Sequence, residues 1–137
     1  MMTEILAGWA ATILRAIFGI MMTFHGWPKL KAIHGTASWT ESIGFRPGMA
    51  WAIGLVLTEF IGGIALVLGI FTRIAAGLLA MEFLVIMFLK IFPWKKQFAT
   101  GDGEWDFDLV FFAIAIALIL LGAGNLSIDN LIGWSLG

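Results

Sequence analysis

The stretch MAWAIGLVLTEFIGGIALVLGIF, residues 49–71, decides the fold of this chain. Its 23 residues include one charged side chain, Glu59, close to the centre. The hydrocarbon core of a bilayer is about 30 Å thick, and roughly 20 apolar residues of an α-helix cross it. The stretch is therefore predicted to span a membrane, with Glu59 near the midplane. Because a carboxylate is costly at that depth, Glu59 is expected to face a partner or a wet cavity.

The composition of the whole chain agrees with this reading. It is 61% hydrophobic and 12% charged, whereas soluble domains carry about 25% charged residues. The chain is therefore expected to form one transmembrane domain over residues 1–137. A formal net charge of −1 without a basic run indicates no nucleic-acid partner. Because there is no cysteine, disulfides, cysteine-ligated iron–sulfur clusters and covalent c-type haem are excluded, and no covalently bound cofactor is expected.

Three further apolar runs predict additional spans at about residues 5–26, 74–92 and 106–121. Ser38-Trp39-Thr40-Glu41 fits a capping box, which predicts an interfacial helix in the first loop. The tail from Ser127 has a second cap-like start and predicts a short amphipathic helix. The predicted fold class is therefore all-α, an integral membrane four-helix bundle with these two short helices added.

Four spans would place both termini on the same side of the membrane and the two long loops on the other. The long-loop side carries six basic residues, against Arg73 alone on the terminus side. By the positive-inside rule, the long loops are predicted to face the cytoplasm. The six basic residues are Lys29, Lys31, Arg46, Lys90, Lys95 and Lys96.

Three charged residues lie near the middles of three different predicted spans: Arg15, Glu59 and Glu82. Each alone is expensive in hydrocarbon, so they are predicted to converge inside the bundle with at least one Arg–Glu contact. One interpretation is a salt bridge that locks the bundle. The other is a ligand or proton site, because one arginine cannot neutralise two buried carboxylates and one of them is a candidate for holding a proton.

Further polar residues lie towards the long-loop side. His25 and Lys29 fall on the same helical side as Arg15, provided that the helix continues through Pro28, and Lys90 lies about 80° from Glu82. A polar funnel is therefore predicted to run from the long-loop face to the midplane. The simpler alternative is an interfacial histidine, lysines that extend to the headgroups, and aspartates such as Asp108 that stabilise a helix start. No metal site and no haem bracketed by histidines is predicted, because the chain lacks a His–His or Glu-x-x-His helical pair.

Several short segments stand in a distinctive order and spacing: Leu14-Arg15, Phe24-His25-Gly26, Gly54-Leu55-Val56-Leu57-Thr58-Glu59, Thr72-Arg73, Gly103-Glu104 and Leu121-Gly122-Ala123-Gly124-Asn125-Leu126-Ser127-Ile128-Asp129. Together they resemble the DoxX family of small four-span bacterial membrane proteins. The resemblance covers about residues 13–132. It implies the four-span fold in the bacterial inner membrane and a role beside redox enzymes: relatives named DoxD belong to a thiosulfate:quinone oxidoreductase, and others associate with oxidative-stress proteins.

The first functional hypothesis is a membrane subunit of a quinone-linked redox system, not catalytic alone, which binds a quinone headgroup or passes its protons. The alternative is a non-enzymatic scaffold or assembly factor for partner membrane proteins, and a small-solute or proton carrier is a third. The expected partners are membrane lipid and either redox proteins or a second copy of the chain. The candidate ligand-binding or proton-relay residues are Arg15, His25, Lys29, Glu59, Glu82, Lys90, Glu104 and Asp108.

Overall fold

The computed structural model describes residues 1–99, 101 and 104–134 of the 137-residue chain. All regular structure within these residues is helical, which confirms the predicted all-α class. The elements are α1 (Met2–Lys31), α2 (Ile33–Ser42), α3 (Gly48–Val56), a π-helical turn (Leu57–Ile61), α4 (Gly62–Leu68), α5 (Thr72–Ile91), α6 (Asp106–Leu121) and α7 (Ile128–Leu131).

Within the described residues, three helices are long and apolar enough to cross a bilayer: α1, the continuous helix Gly48–Leu68 and α5. The fourth predicted span, α6, has 16 residues and the bounds that the sequence predicts. It packs along α5 and also against α1, and so completes the bundle. The chain is therefore a helical membrane protein.

The core of the bundle is aromatic and aliphatic, and two glycines bring α1 close to α4. A Cβ atom on Gly63 would lie 2.6 Å from the backbone nitrogen of Thr23, and one on Gly19 would lie 2.7 Å from the Gly63 carbonyl oxygen. Such close backbone approach is a common way to associate membrane helices. Side chains of α1, α4, α5 and α6 fill the remaining space, among them Phe18, Met22, Leu66, Leu79, Phe83, Phe111 and Leu118.

The glycine contact gives a first testable prediction. Gly63→Ala should lower the free energy of unfolding by about 1–3 kcal/mol, because the new methyl group meets backbone that cannot move aside easily. Gly77→Ala on α5 is the matched control, since a Cβ atom there meets nothing within 4 Å. Thermal unfolding of the detergent-purified proteins measures the difference. Equal midpoints for Gly63→Ala and Gly77→Ala would contradict the prediction.

Two short helices form as expected, with one change. The interfacial helix α2 begins at Ile33, five residues before the capping box, so the sequence placed its start wrongly. The hydroxyl of Ser38 donates to the carbonyl of His34 at 3.0 Å, inside the helix, and does not cap its start. At α7, Ser127 does cap the helix, because its Oγ accepts the Asn130 N–H at 3.1 Å.

The first turns of α1 and the segment that follows α6 lie at the same end of the bundle. The backbone N–H of Asn125 donates to the Gly8 carbonyl at 3.2 Å, and that of Leu126 donates to the Thr12 hydroxyl at 3.4 Å. The segment after α6 therefore runs beside the first turns of α1. That both termini lie on one side of the membrane, with the long loops in the cytoplasm, stays a prediction.

Candidate functional site

Arg15 does not join the acidic residues of the bundle. Its buried guanidinium donates to four backbone carbonyls: Val67 at 2.7 Å, Ala123 at 2.9 Å, Leu126 at 2.5 Å, and Leu66. Neither Glu59 nor Glu82 is among its partners, so the predicted Arg–Glu contact is wrong.

The physical reason is that Arg15 and the two glutamates lie at different depths in the bundle. Arg15 lies one turn before Gly19, which packs between Gly63 and Val67, so Arg15 is level with the end of α4. Gly69 ends that helix with a left-handed φ of 70°, and a Cβ atom on it would lie only 2.9 Å from the Arg15 guanidinium carbon. The middle of an apolar run in the sequence is therefore not the middle of the bundle in this case.

Asp129 completes the surroundings of Arg15 and was not singled out as a site residue from the sequence. It is 1% exposed, lies near enough to attract the guanidinium, and accepts the N–H groups of Phe71 at 2.9 Å and Thr72 at 3.0 Å. Arg15 and Asp129 together attach the C-terminal segment to α4 and to the start of α5. Their arrangement is that of a structural anchor.

The inner polar cluster is formed by Lys29, Glu59 and Glu82. The Lys29 ammonium lies 2.5 Å from Glu59 Oε1, and Glu59 is 3% exposed. Helix α1 continues through Pro28 to Lys31, and Gly26 lies directly against the Phe60 backbone. This close approach places Lys29, at the next turn, beside Glu59.

Glu82, on α5, lies beside Glu59. The two carboxyl groups are close enough for a side-chain hydrogen bond. Glu59 Oε2 and both Glu82 oxygens are nevertheless buried without a donor among the described residues. Since carboxylates only accept hydrogen bonds, a bond between the two requires a proton on one of them. Glu82 lies about 15 Å along α5 from Thr72, close to the middle of that helix.

Glu59 lies inside the π-helical turn of residues 57–61. A π-helical turn inserts one extra residue into an α-helix and occurs frequently at functional sites. It therefore distinguishes the surroundings of Glu59 from the regular helices on either side.

An outer polar cluster lies towards the long loops. Lys90 Nζ lies 2.6 Å from Asp108 Oδ2 and donates to the Glu104 carbonyl oxygen at 3.0 Å. It is about 12 Å along α5 from Glu82. His25 is exposed, and its ring lies at 80° to that of Phe111 with a centroid distance of 6.0 Å.

The candidate residues thus separate into four positions. Lys29, Glu59 and Glu82 meet in the inner cluster, and Lys90, Asp108 and the Glu104 backbone meet in the outer one. His25 lies on the exposed surface beside Phe111. Arg15 lies at the end of the bundle opposite to the outer cluster.

A cavity of about 350 Å³ lies between α2, α3, the π-helical turn and α5. Its wall is mainly apolar, and Glu82 is the one charged side chain among the described residues that line it. Three aromatic residues, Trp39, Phe45 and Trp51, contribute to the wall. Sequence reasoning did not single them out, because only the packing of α2 against α3 brings these residues to one cavity.

The remaining residues lining this cavity come from the same elements, except for Ile43, which directly follows α2. They are Thr40, Ile43, Gly54, Leu55, Thr58, Leu78, Met81, Val85, Ile86 and Leu89. The Thr40 hydroxyl is already bonded to the backbone of Ala37 and Gly48.

Comparison with known proteins places this architecture in a family. The chain is 34% identical over 118 residues to "Putative oxidoreductase CatD" of Bacillus subtilis (strain 168), covering 85% of this chain and 82% of that protein. It is 30% identical over 122 residues to "Inner membrane protein YqjF" of Escherichia coli (strain K12), covering 88% and 89%. No solved structure matches significantly. Because the DoxX family profile also matches residues 10–90, the chain belongs to the DoxX family.

Proposed function

We propose that this chain is an integral membrane subunit of a quinone-linked redox system, and that the cavity beside Glu82 binds the quinone headgroup. The observation that carries the proposal is the cavity itself, an apolar and partly aromatic space whose wall includes one glutamate with buried carboxyl oxygens. Sites for small molecules are typically concave, mostly apolar and oriented by a few polar groups. The similarity to a protein named an oxidoreductase supports the redox setting.

The chemistry of quinones fits such a cavity. A quinone ring is planar and apolar on its faces, so it stacks well on indole and phenyl rings such as those of Trp39, Phe45 and Trp51. Its reduction to a quinol takes two electrons and two protons. In this proposal, a redox partner protein supplies the electrons and this chain supplies the binding site and the protons. We also propose that the chain lies in the bacterial inner membrane, with its long loops in the cytoplasm.

Gly54 offers a direct test, because it lines the cavity and a Cβ atom on it meets nothing within 4 Å. Gly54→Leu should place a side chain in the cavity without disturbing a helix contact. In nanodiscs, a short-tail quinone should quench the tryptophan fluorescence of the natural protein saturably. The apparent Kd should rise at least about tenfold in Gly54→Leu, which corresponds to 1.4 kcal/mol.

Gly77→Leu on α5 is the matched control and should bind as the natural protein does, since that position is also open but outside the cavity. Trp51→Phe should lower the quenching amplitude, whereas Trp9→Phe, far from the cavity on α1, should not. Absence of saturable quenching in the natural protein, or equal Kd values for the two glycine variants, would contradict the quinone site. A stable protein partner obtained with no quinone binding would instead favour the scaffold function.

A further inference from the structure

We propose that Glu59 and Glu82 hold one proton between them as a buried pair balanced by Lys29, and that this pair donates the proton to the ligand of the cavity. The first half concerns the protein alone. The second half rests on the proposed function, because it needs a ligand in the cavity.

The contacts within the cluster carry the first half. Glu59 uses Oε1 for Lys29 and leaves Oε2 without a donor, and both oxygens of Glu82 have none. These three orphaned acceptors belong to two carboxyl groups that face each other at hydrogen-bonding range. A single proton placed between the two groups turns an acceptor–acceptor contact into an O–H···O hydrogen bond.

The charge balance of the cluster also requires one proton. The pair consists of Glu59 in the π-helical turn and Glu82 on α5, and the charged group that faces it among the described residues is Lys29 on α1. With both carboxylates ionised the cluster would carry −1 in the middle of a membrane-spanning bundle. One proton brings it to zero, and buried charges in membranes are normally compensated. Lys90 and Asp108 pair with each other about 12 Å away and contribute no net charge.

The position of Glu82 carries the second half. Its side chain forms part of the cavity wall, while its two oxygens are turned inward and shielded. A rotation of this side chain would bring the carboxyl from Glu59 to the cavity. The O–H bond of Glu82 then breaks as an O–H bond forms on the quinone oxygen. The two electrons of the reduction come from the redox partner, and the pair is reloaded with a proton from the aqueous side before the second transfer.

Infrared spectroscopy of the protein in nanodiscs, without quinone, tests the proton count. The C=O stretch of protonated carboxyl groups, identified by its shift in D₂O, is integrated against the amide absorbance. Glu82→Gln should lose one carboxyl equivalent relative to the natural protein, and Glu59→Gln should also lose one, because the remaining glutamate then ionises beside Lys29. The double variant should lose one and not two. Lys29→Met should gain one, because both carboxyls then need a proton for neutrality.

The control is Lys31→Met, since Lys31 is exposed and lies over the Trp27 ring, outside the cluster. Its carboxyl count should equal that of the natural protein. Loss in Glu82→Gln but not in Glu59→Gln would overturn the shared pair, because Glu82 would then hold its proton alone. No loss in the double variant would show that both groups are ionised in the natural protein, and would also overturn it.

Quinone addition separates this proposal from the function on which it partly rests. If the carboxyl band responds to a short-tail quinone in the natural protein and not in Gly54→Leu, the delivery step is supported. If the proton count holds but fluorescence shows no quinone binding, the proposed function fails while the shared pair stands. Quinone binding alone should shift this band, because the Glu82 carboxyl turns from Glu59 to the quinone oxygen before any electron arrives. If quinone binds and the band does not shift, the pair is not placed to donate its proton and the second half is overturned.

Discussion

Replacing Arg15 with alanine should leave little folded protein in the membrane. The guanidinium donates to four carbonyls from two separate segments, the end of α4 and the residues after α6. Removing it leaves those acceptors unpaired and removes the positive charge beside buried Asp129. Breaking a buried ionic network by removing one partner typically costs about 3–5 kcal/mol.

Arg15→Lys should rescue only a small part of this loss. A lysine ammonium has three donors on a compact head and cannot reproduce the planar fork that reaches all four carbonyls. Arg46→Ala is the matched control, because Arg46 is exposed and its removal should change stability by less than about 0.5 kcal/mol. Folded yield and the thermal midpoint in detergent measure both. A midpoint for Arg15→Ala equal to that of Arg46→Ala would refute the anchor.

The same variant distinguishes the observed partners of Arg15 from those that the sequence predicted. If Arg15 paired with Glu59, adding Glu59→Gln to Arg15→Ala would relieve part of the damage. In the structure the two residues lie in different networks, so their effects on the free energy of unfolding should add. The double variant should therefore be less stable than Arg15→Ala alone.

The spans could be predicted because hydrophobic length is a local property of the sequence. Residues 106–121 match α6 at both ends, and α5 begins at Thr72, two residues before the predicted start of the third span at 74. The bounds of α1 were less predictable. It runs from Met2 to Lys31 and not 5–26, since polar residues at either end continue the helix beyond the apolar run.

The site was harder to predict, because its pairings depend on relative depth and on backbone groups. Nothing in the sequence shows that the acceptors of Arg15 are carbonyls at the end of α4. Glu59 and Glu82 were both recognised as unusual, and they do lie together, but Lys29 takes the place expected for Arg15. The π-helical turn at Glu59 leaves no composition signal that would separate it from an ordinary helical turn.

The second large effect is expected at the outer cluster, where the sequence allowed either a functional lysine or one that extends to the headgroups. Lys90→Met should lower the free energy of unfolding by about 3 kcal/mol, because Asp108 then keeps a largely buried carboxylate without its cation. Adding Asp108→Asn should recover part of that loss, since an amide is far cheaper to bury than an unpaired charge. The coupling between the two changes should be about 1–3 kcal/mol.

Lys96→Met is the control, because Lys96 is exposed near the same end of the bundle and should have little effect on stability. Unfolding measured for the two single variants and the double variant yields the coupling directly. Zero coupling would show that the 2.6 Å contact stabilises nothing.

The double variant also separates a structural role of the pair from a role in proton transfer. If it folds well and binds quinone normally but forms quinol slowly when a redox partner is supplied, Lys90 and Asp108 lie on the route by which the inner cluster is reloaded. If quinol formation is unchanged, the pair only holds α5 to α6.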